Sequence, residues 1–433
     1  AALAGVLARR PGDGRASEGL RTLETGELEH LFTAAAFEEG KILSTRTLGL
    51  ARETVSVQEA LAAGDAAMAR ERAEALSPGH PYRIAAIELA RALAEHPEWR
   101  DSLDRHIKAL ACHGRLVLAS LQAEATASWC DVGKDELERW TLGPESSLRP
   151  GESLSLLVGE YLVRVRHRGN EFRFDCLVER GKTWTVEGKT VPDEVPEGFV
   201  WIPASPFYVG EIGSNRRRYR RCQEVKRPFF IGRTEVTWKE YLGWLRTVPR
   251  EDWKDLVPVY THPVLTSEVV GEDGEVIPWL RPLADDRFPV WGITQPAALR
   301  FCQEHCGSAG SSGDLPAEFE WELAARGIAG RAFSFGDRSF PGAANIERQS
   351  GGPIPWTVSD EPAEDKSIFG VSGMCGNVSE WTHTRFADEI VIAKGGSWSS
   401  EAGRACPSNR MAFFQNKQFP YAGFRAAMYS RGE

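Results

Sequence analysis

DLPAEFEWELAARG, residues 314–327, reads as one short helix with a built-in stop. Phe319, Leu323 and Arg326 fall on one helical stripe beside Trp321, and Gly327 stands where a helix end takes a left-handed residue. Downstream come SIFGVSGMCGNVSEW at 367–381, KGGSWSS at 394–400 and AGFRAA at 422–427. The paired glycines of KGGSWSS let backbones pass closely, and Trp398 follows as a large apolar anchor. Upstream lie FVWIPASPFYVG at 199–210, FFIGRTEVTWKEYLGWL at 229–245 and FPVWGITQPAALRFCQEHCG at 288–307. Trp and Gly recur throughout while long periodic segments are scarce, which predicts loops packed on a small sheet.

The order and wording of these seven segments resemble the formylglycine-generating-enzyme (sulfatase-modifying factor) family across residues 197–433. The resemblance implies a C-type-lectin-like fold with little regular secondary structure. Catalytic members carry two cysteines shortly after the GGS element, which hold copper, and copper(I) requires soft thiolate donors. In GGSWSSEAGRACPSNR those positions fall on Ser400 and Ala405; a one-residue insertion would bring Cys406 to the second and leave the first without sulfur. No catalytic residue is therefore expected and copper is not expected, with Cys406 relevant only to an oxidase alternative. Calcium is a candidate through the carbonyls of Gly376 and Val378 and the carboxylate of Glu380, although the family's acidic or amide side chain before Asn377 falls on Gly373. A second calcium position would begin at Asn345 and Ile346, with no acidic partner evident in ERQSGGPIPW. The iron-dependent sulfoxide synthases of the same family carry an H-x3-H-x-E motif, which His106 and His113 do not reproduce.

The preceding sequence divides by period. QEALAAGDAAMARERAEAL at 58–76 and IAAIELARALAEHPEWRDSLDRHIKAL at 84–110 have helical periodicity broken by Pro, so residues 1–114 are expected to form a helical, repeat-like region. From 115 to 190 the period becomes two. In YLVRVRH, Tyr161, Val163 and Val165 face one way; in EFRFDCLVE, Phe172, Phe174, Cys176 and Val178 face one way and Glu171, Arg173, Asp175 and Glu179 the other. HRGN between them predicts a hairpin within a small β-sandwich. The stretch GEYLVRVRHRGNEFRFDCLVERGKTWTV resembles a PEGA domain, and VPDEVPEG at 191–198 marks a boundary. The whole is expected to be an α+β multidomain chain.

With 26% charged and 42% hydrophobic residues over 433 positions, the composition is that of a globular protein of two or three domains. A net charge of -9 argues against nucleic acid as the default partner. Eight scattered cysteines are too sparse for a disulfide scaffold, and no stretch is long enough to span a bilayer, so a cytoplasmic location is expected. The lack of an initiating Met leaves room for a leader or a preceding domain. Cys302, His305 and Cys306 read as helix and core residues rather than a metal site, GSAGSSG as a flexible turn and NRRRYRR as a solvated loop.

The last loop, PSNRMAFFQNKQFPYAG at 407–423, mixes aromatic anchors with adaptable polar groups. Phe413, Phe414, Phe419 and Tyr421 stand among Ser408, Asn409, Arg410, Gln415, Asn416 and Lys417, with Trp398 and Arg404 just upstream, and together they form the candidate binding surface. The expectation is a non-catalytic module recognising a protein or small ligand, in a bacterial regulatory, signalling or defence protein whose N-terminal helices offer a second protein-binding site. In kinase-linked relatives of this arrangement a Ser/Thr kinase domain would precede the chain. The alternatives are a copper-dependent formylglycine-generating oxidase acting on a sulfatase cysteine, and a variable ligand-binding protein of a diversity-generating retroelement.

Overall fold

The computed structural model of the chain describes residues 66–75, 113–179, 182–209, 221–257, 266–270, 276–280, 287–307, 310–340, 342–346, 356–358 and 365–430, with isolated positions at 60, 87, 90 and 94. The helical region expected over 1–114 lies outside these residues, apart from a helix at Ala66–Ala75 and the isolated positions. Among the described residues strands dominate and helices are few and short. The chain divides into two compact units, one of residues 1–117, 152–159 and 177–185 and the other of the remainder. In the first, His113–Val117 runs antiparallel to Ser153–Leu157.

The second unit begins with a five-stranded sheet of Thr126–Lys134, Trp140–Leu142, Ser146–Leu148, Gly159–His167 and Asn170–Val178. The hairpin predicted at HRGN is present: Arg168 and Gly169 have φ of 47° and 80°, the left-handed pair that joins two right-twisted strands. Tyr161, Val163, Val165, Phe172, Phe174 and Cys176 are buried as the alternation requires. Asp175 departs from it. Assigned by period to the polar face, it is buried, because that face is covered by the loop after helix Glu318–Arg326. Its Oδ2 accepts from Ile328 N–H at 2.9 Å and Arg331 Nη1 at 3.2 Å, while Arg331 Nη2 reaches Glu160 at 2.5 Å. Trp140 donates from its backbone to Phe335 O and from its ring to Ser334 O, both at 3.0 Å. Trp201 lies edge-on to both Phe172 and Phe174.

The C-terminal part of this unit carries two four-stranded sheets. One orders Ser311–Asp314, Ala427–Ser430, Phe229–Gly232 and Phe199–Ile202; the other orders Met411–Phe414, Ile390–Lys394, Ser379–Ala387 and Ala422–Gly423. The second half of GSAGSSG is thus a strand and not a turn, because Ser311–Asp314 pairs with Ala427–Ser430. Helix Trp238–Leu245 starts from a reciprocal cap between Thr237 and Glu240. Helix Gln295–His305 starts from Thr294 with Pro296 in its first turn. Their apolar faces meet in an aromatic core of Trp238, Tyr241, Trp244, Trp291, Phe301, Trp381 and Phe424. Cys302 is buried there and His305 packs against the Phe301 ring, as a core reading of this helix requires. The seven described cysteines are free thiols, four of them buried.

Candidate functional site

The strand Ile390–Lys394 ends in Gly395 and Gly396, and the chain then loops through Ser397–Ser400 into the short helix Ala402–Ala405. Gly396 has φ of 72°, and a Cβ there would stand 2.6 Å from Ala405 Cα. Only glycine therefore lets the two segments touch, which places Ser400 and Ala405 in one small loop cluster. Its polar groups are hydroxyls. Ser397 Oγ lies 2.9 Å from Ser399 Oγ and 3.2 Å from Ser400 Oγ, and Ser397 N–H donates to Ser400 Oγ at 3.0 Å. Ala405 is buried and offers no donor atom.

Cys406 is half-buried and its thiol faces the Ala402 carbonyl at 3.7 Å. Cys375 borders the same apolar cluster of Phe333, Phe335 and Ile346. Burial, with Asp365 nearby, pushes the Cys375 thiol well above its ordinary value, and its sulfur accepts from Ser334 N–H at 3.4 Å. A neutral, hydrogen-bonded thiol is a poor copper(I) donor. The residues at the family's copper position thus do not fit the metal, since hydroxyl and methyl groups replace the thiolate pair.

Glu380, the carboxylate named for calcium, is fully buried against Arg425. Arg425 Nε reaches Oε2 at 2.6 Å and Nη2 reaches Oε1 at 2.7 Å, while Trp321 Nε1 donates to Oε2 at 2.6 Å. Glu380 thus serves as counter-ion to Arg425, and a cation at its carboxylate would compete with a buried guanidinium. The neighbouring carbonyls of Gly376 and Val378 belong to buried residues, and Gly376 bridges in parallel to Asn345. Among the described residues no cluster of three or more His, Cys, Asp or Glu side chains is disposed to hold a metal ion.

The candidate binding residues separate into three groups. Trp398, Arg404, Ser408 and Asn409 shape the loop: Trp398 N–H donates to Asn377 O at 2.8 Å, Asn409 Nδ2 caps the Arg404 carbonyl at 3.0 Å, and Ser408 is buried. Phe413, Phe419 and Tyr421 turn inward, with Phe413 stacked on Phe419 at 4.4 Å and both against Trp381. Gln415 is held by backbone bonds to Glu389 and Gln295. Arg410, Phe414, Asn416 and Lys417 are exposed. Arg410 makes a two-pronged ion pair with Glu318, at 2.5 and 2.9 Å, and its guanidinium lies over the Phe386 ring. Phe386, 61% exposed, and Phe414, 55% exposed, are the most exposed aromatic rings among the described residues. Phe386 was not among the residues read from the sequence; its place in EWTHTRFA, two residues beyond Thr384, was the available signal.

Deeper in the domain, Lys394 is fully buried with Glu322 at 2.9 Å, and burial lowers its ammonium below the ordinary value. Arg326 joins the same carboxylate at 2.6 Å. Asp365 accepts from Ser334 Oγ, and burial raises its carboxyl to about 7.

Loops packed on two small sheets, with a cluster of hydroxyls at the strand end, define a protein of C-type-lectin-like fold. The chain belongs to the sulfatase-modifying factor family: residues 186–429, more than half its length, match the Sulfatase-modifying factor enzyme 1-like domain. It is 28% identical over 162 residues to the Inactive C-alpha-formylglycine-generating enzyme 2 of Bos taurus, covering 32% of this chain and 50% of that protein. It is 29% identical over 163 residues to the Formylglycine-generating enzyme of Mycobacterium tuberculosis, covering 34% and 44%. The chain spans about half the length of the curated relatives it matches. Among solved structures, PvdO from Pseudomonas aeruginosa aligns at 21% identity with a TM-score of 0.43, over 53% of this chain and 93% of that one. Among the described residues no helix is long and apolar enough to cross a membrane.

Proposed function

We propose that the C-terminal domain is a non-catalytic recognition module that binds a protein or small ligand through the face around Arg410, Phe386 and Phe414. The observation that carries this reading is the hydroxyl cluster of Ser397, Ser399 and Ser400 beside Ala405, where an oxidase of this family would hold two thiolates. A serine hydroxyl stays protonated at neutral pH and is a hard donor, so the cluster cannot bind copper(I) as a thiolate pair does. The similarity to an inactive relative is compatible with lost chemistry, and the two exposed rings beside an arginine are the residue types that anchor interfaces.

In this reading residues 1–114 form a helical region that docks a second protein, residues 115–190 a PEGA-like sandwich, and residues 197–433 the recognition module. The parent is a cytoplasmic bacterial regulatory, signalling or defence protein, and neither nucleic acid nor a bound metal is needed. Copper(I) titration against a chromophoric chelator tests the proposal. The reading requires no tight site in the native protein; one copper per chain that is lost in Cys406→Ala would overturn it.

A further inference from the structure

The geometry points to the free edge of strand Met411–Phe414 as a docking site for an extended, acid-flanked peptide segment, which adds to the sheet as a further strand. The inference rests on the recognition reading and specifies its ligand. Met411–Phe414 is the terminal strand of its sheet, paired only on the side of Ile390–Lys394 among the described residues. Gln415 N–H donates to Glu389 O at 2.8 Å, so in an antiparallel ladder residues 411, 413 and 415 direct their peptide groups inward. Ala412 and Phe414 then direct theirs outward. The neighbouring strand keeps the same phase, because Ile392 O faces the opposite side, toward Thr382 Oγ1 at 2.7 Å.

Of the outward groups, Phe414 O is taken by Lys417 N–H in the following turn. The N–H groups of Ala412 and Phe414 donate to, and the C=O of Ala412 accepts from, none of the described residues. Donor, acceptor and donor at this spacing match the edge of one extended chain and no compact ligand. Edge strands that must not pair are usually guarded by Pro, a charge or a bulge, and Met411–Phe414 contains none of them. The side chains beside these groups, Ala412 and Phe414, are exposed.

Charge selects the partner. Residues 402–430 contain no Asp or Glu, and Arg404 and Lys417 are exposed there, whereas Arg410 is already paired with Glu318. Asp388 and Glu389 sit in the turn on the inner side of the strand, away from the open edge. A second copy of this chain would bring the same basic run to the edge. An apolar strand with flanking carboxylates complements it.

The test is selection from a phage-displayed library of random dodecapeptides against the native protein and two variants. Ala412→Pro removes the outward N–H without touching the inner ladder, a change edge strands tolerate, and its fold is checked by thermal melting. Phe386→Ala alters the exposed face but not the edge. We expect enrichment of peptides that alternate apolar residues between acidic flanks, with synthetic versions binding Ala412→Pro at least about tenfold more weakly and Phe386→Ala, a change on the recognition face beside the edge, less weakened than Ala412→Pro. Backbone N-methylation of the peptide should have the same effect as the proline.

Absence of enrichment overturns the proposal. Peptides that bind Ala412→Pro undiminished but lose Phe386→Ala overturn strand addition and leave the recognition reading standing. A native dimer that Ala412→Pro converts to a monomer assigns the edge to a second copy and also overturns it. Oxidase activity is measured separately, so failure of the recognition reading is distinguished from failure of this one.

Discussion

Arg425 holds Glu380 through two nitrogens, at 2.6 and 2.7 Å, with neither side chain exposed to solvent. Its remaining hydrogen-bonding capacity reaches the carbonyls of Gly232, Ser372 and Gly373, so one guanidinium ties the end of strand Phe229–Gly232 and the loop at 372–373 to Glu380. Glu380→Gln removes the counter-charge while keeping the shape, and a buried charge left without its partner costs about 3–5 kcal/mol. We expect urea unfolding to register a loss of that order. We also expect the native melting temperature to be the same in calcium and in chelator, because the carboxylate is already taken.

Asp365 makes stability depend on pH. Burial first, and Glu235 second, raise its carboxyl from the ordinary 3.8 to about 7. The folded state therefore holds a proton that the unfolded chain releases, and stability falls as pH rises from about 4 to about 7. The full effect is roughly 4 kcal/mol as an upper bound. Asp365→Asn supplies a permanently neutral acceptor for Ser334 Oγ. It should flatten this part of the pH profile and melt above the native protein at pH 8, by thermal denaturation.

Much of the fold was legible because its signals are local. The alternation in YLVRVRH and EFRFDCLVE, the turn at HRGN and the stop at Gly327 each need only a few neighbouring residues to be read. Asp175 shows where that reading ends. Its side chain lies on the face that period two assigns to water, and only the three-dimensional approach of Arg331, 156 positions away, makes the burial tolerable. Glu380 is a second case: a carboxylate in a family motif suggests a cation, while the guanidinium that it meets comes from Arg425, 45 positions later. At the site, the missing thiol at Ser400 could be seen in the sequence, but the hydroxyl cluster needed the close contact of Gly396 with Ala405. Of the aromatics at 413–421, only Phe414 faces solvent, because the others pair with Trp381 or with each other.

The Arg331 network ties the five-stranded sheet to the C-terminal loops. Asp175→Asn and Arg331→Met should each destabilise the protein, and the double variant should recover part of the sum. We expect a coupling energy of about 1–3 kcal/mol from the double-mutant cycle. Independent effects would mean that the pair contributes nothing to joining these elements.

Restoring sulfur tests why the chemistry is absent. Ser400→Cys places a second thiol in the loop that already carries Cys406, at a position that is only partly buried. We expect this variant to gain copper(I) affinity over the native protein in chelator competition. An unchanged affinity would locate the defect in the position of Cys406 and not in the lost partner.

The most direct test of the central claim is mass spectrometry of a CxPxR-type sulfatase peptide after incubation with the purified protein, copper(I) and oxygen. A recognition module leaves the cysteine unchanged. Conversion to the aldehyde by the native protein, abolished in Cys406→Ala, would contradict the account and make this chain an oxidase with an unusual ligand set.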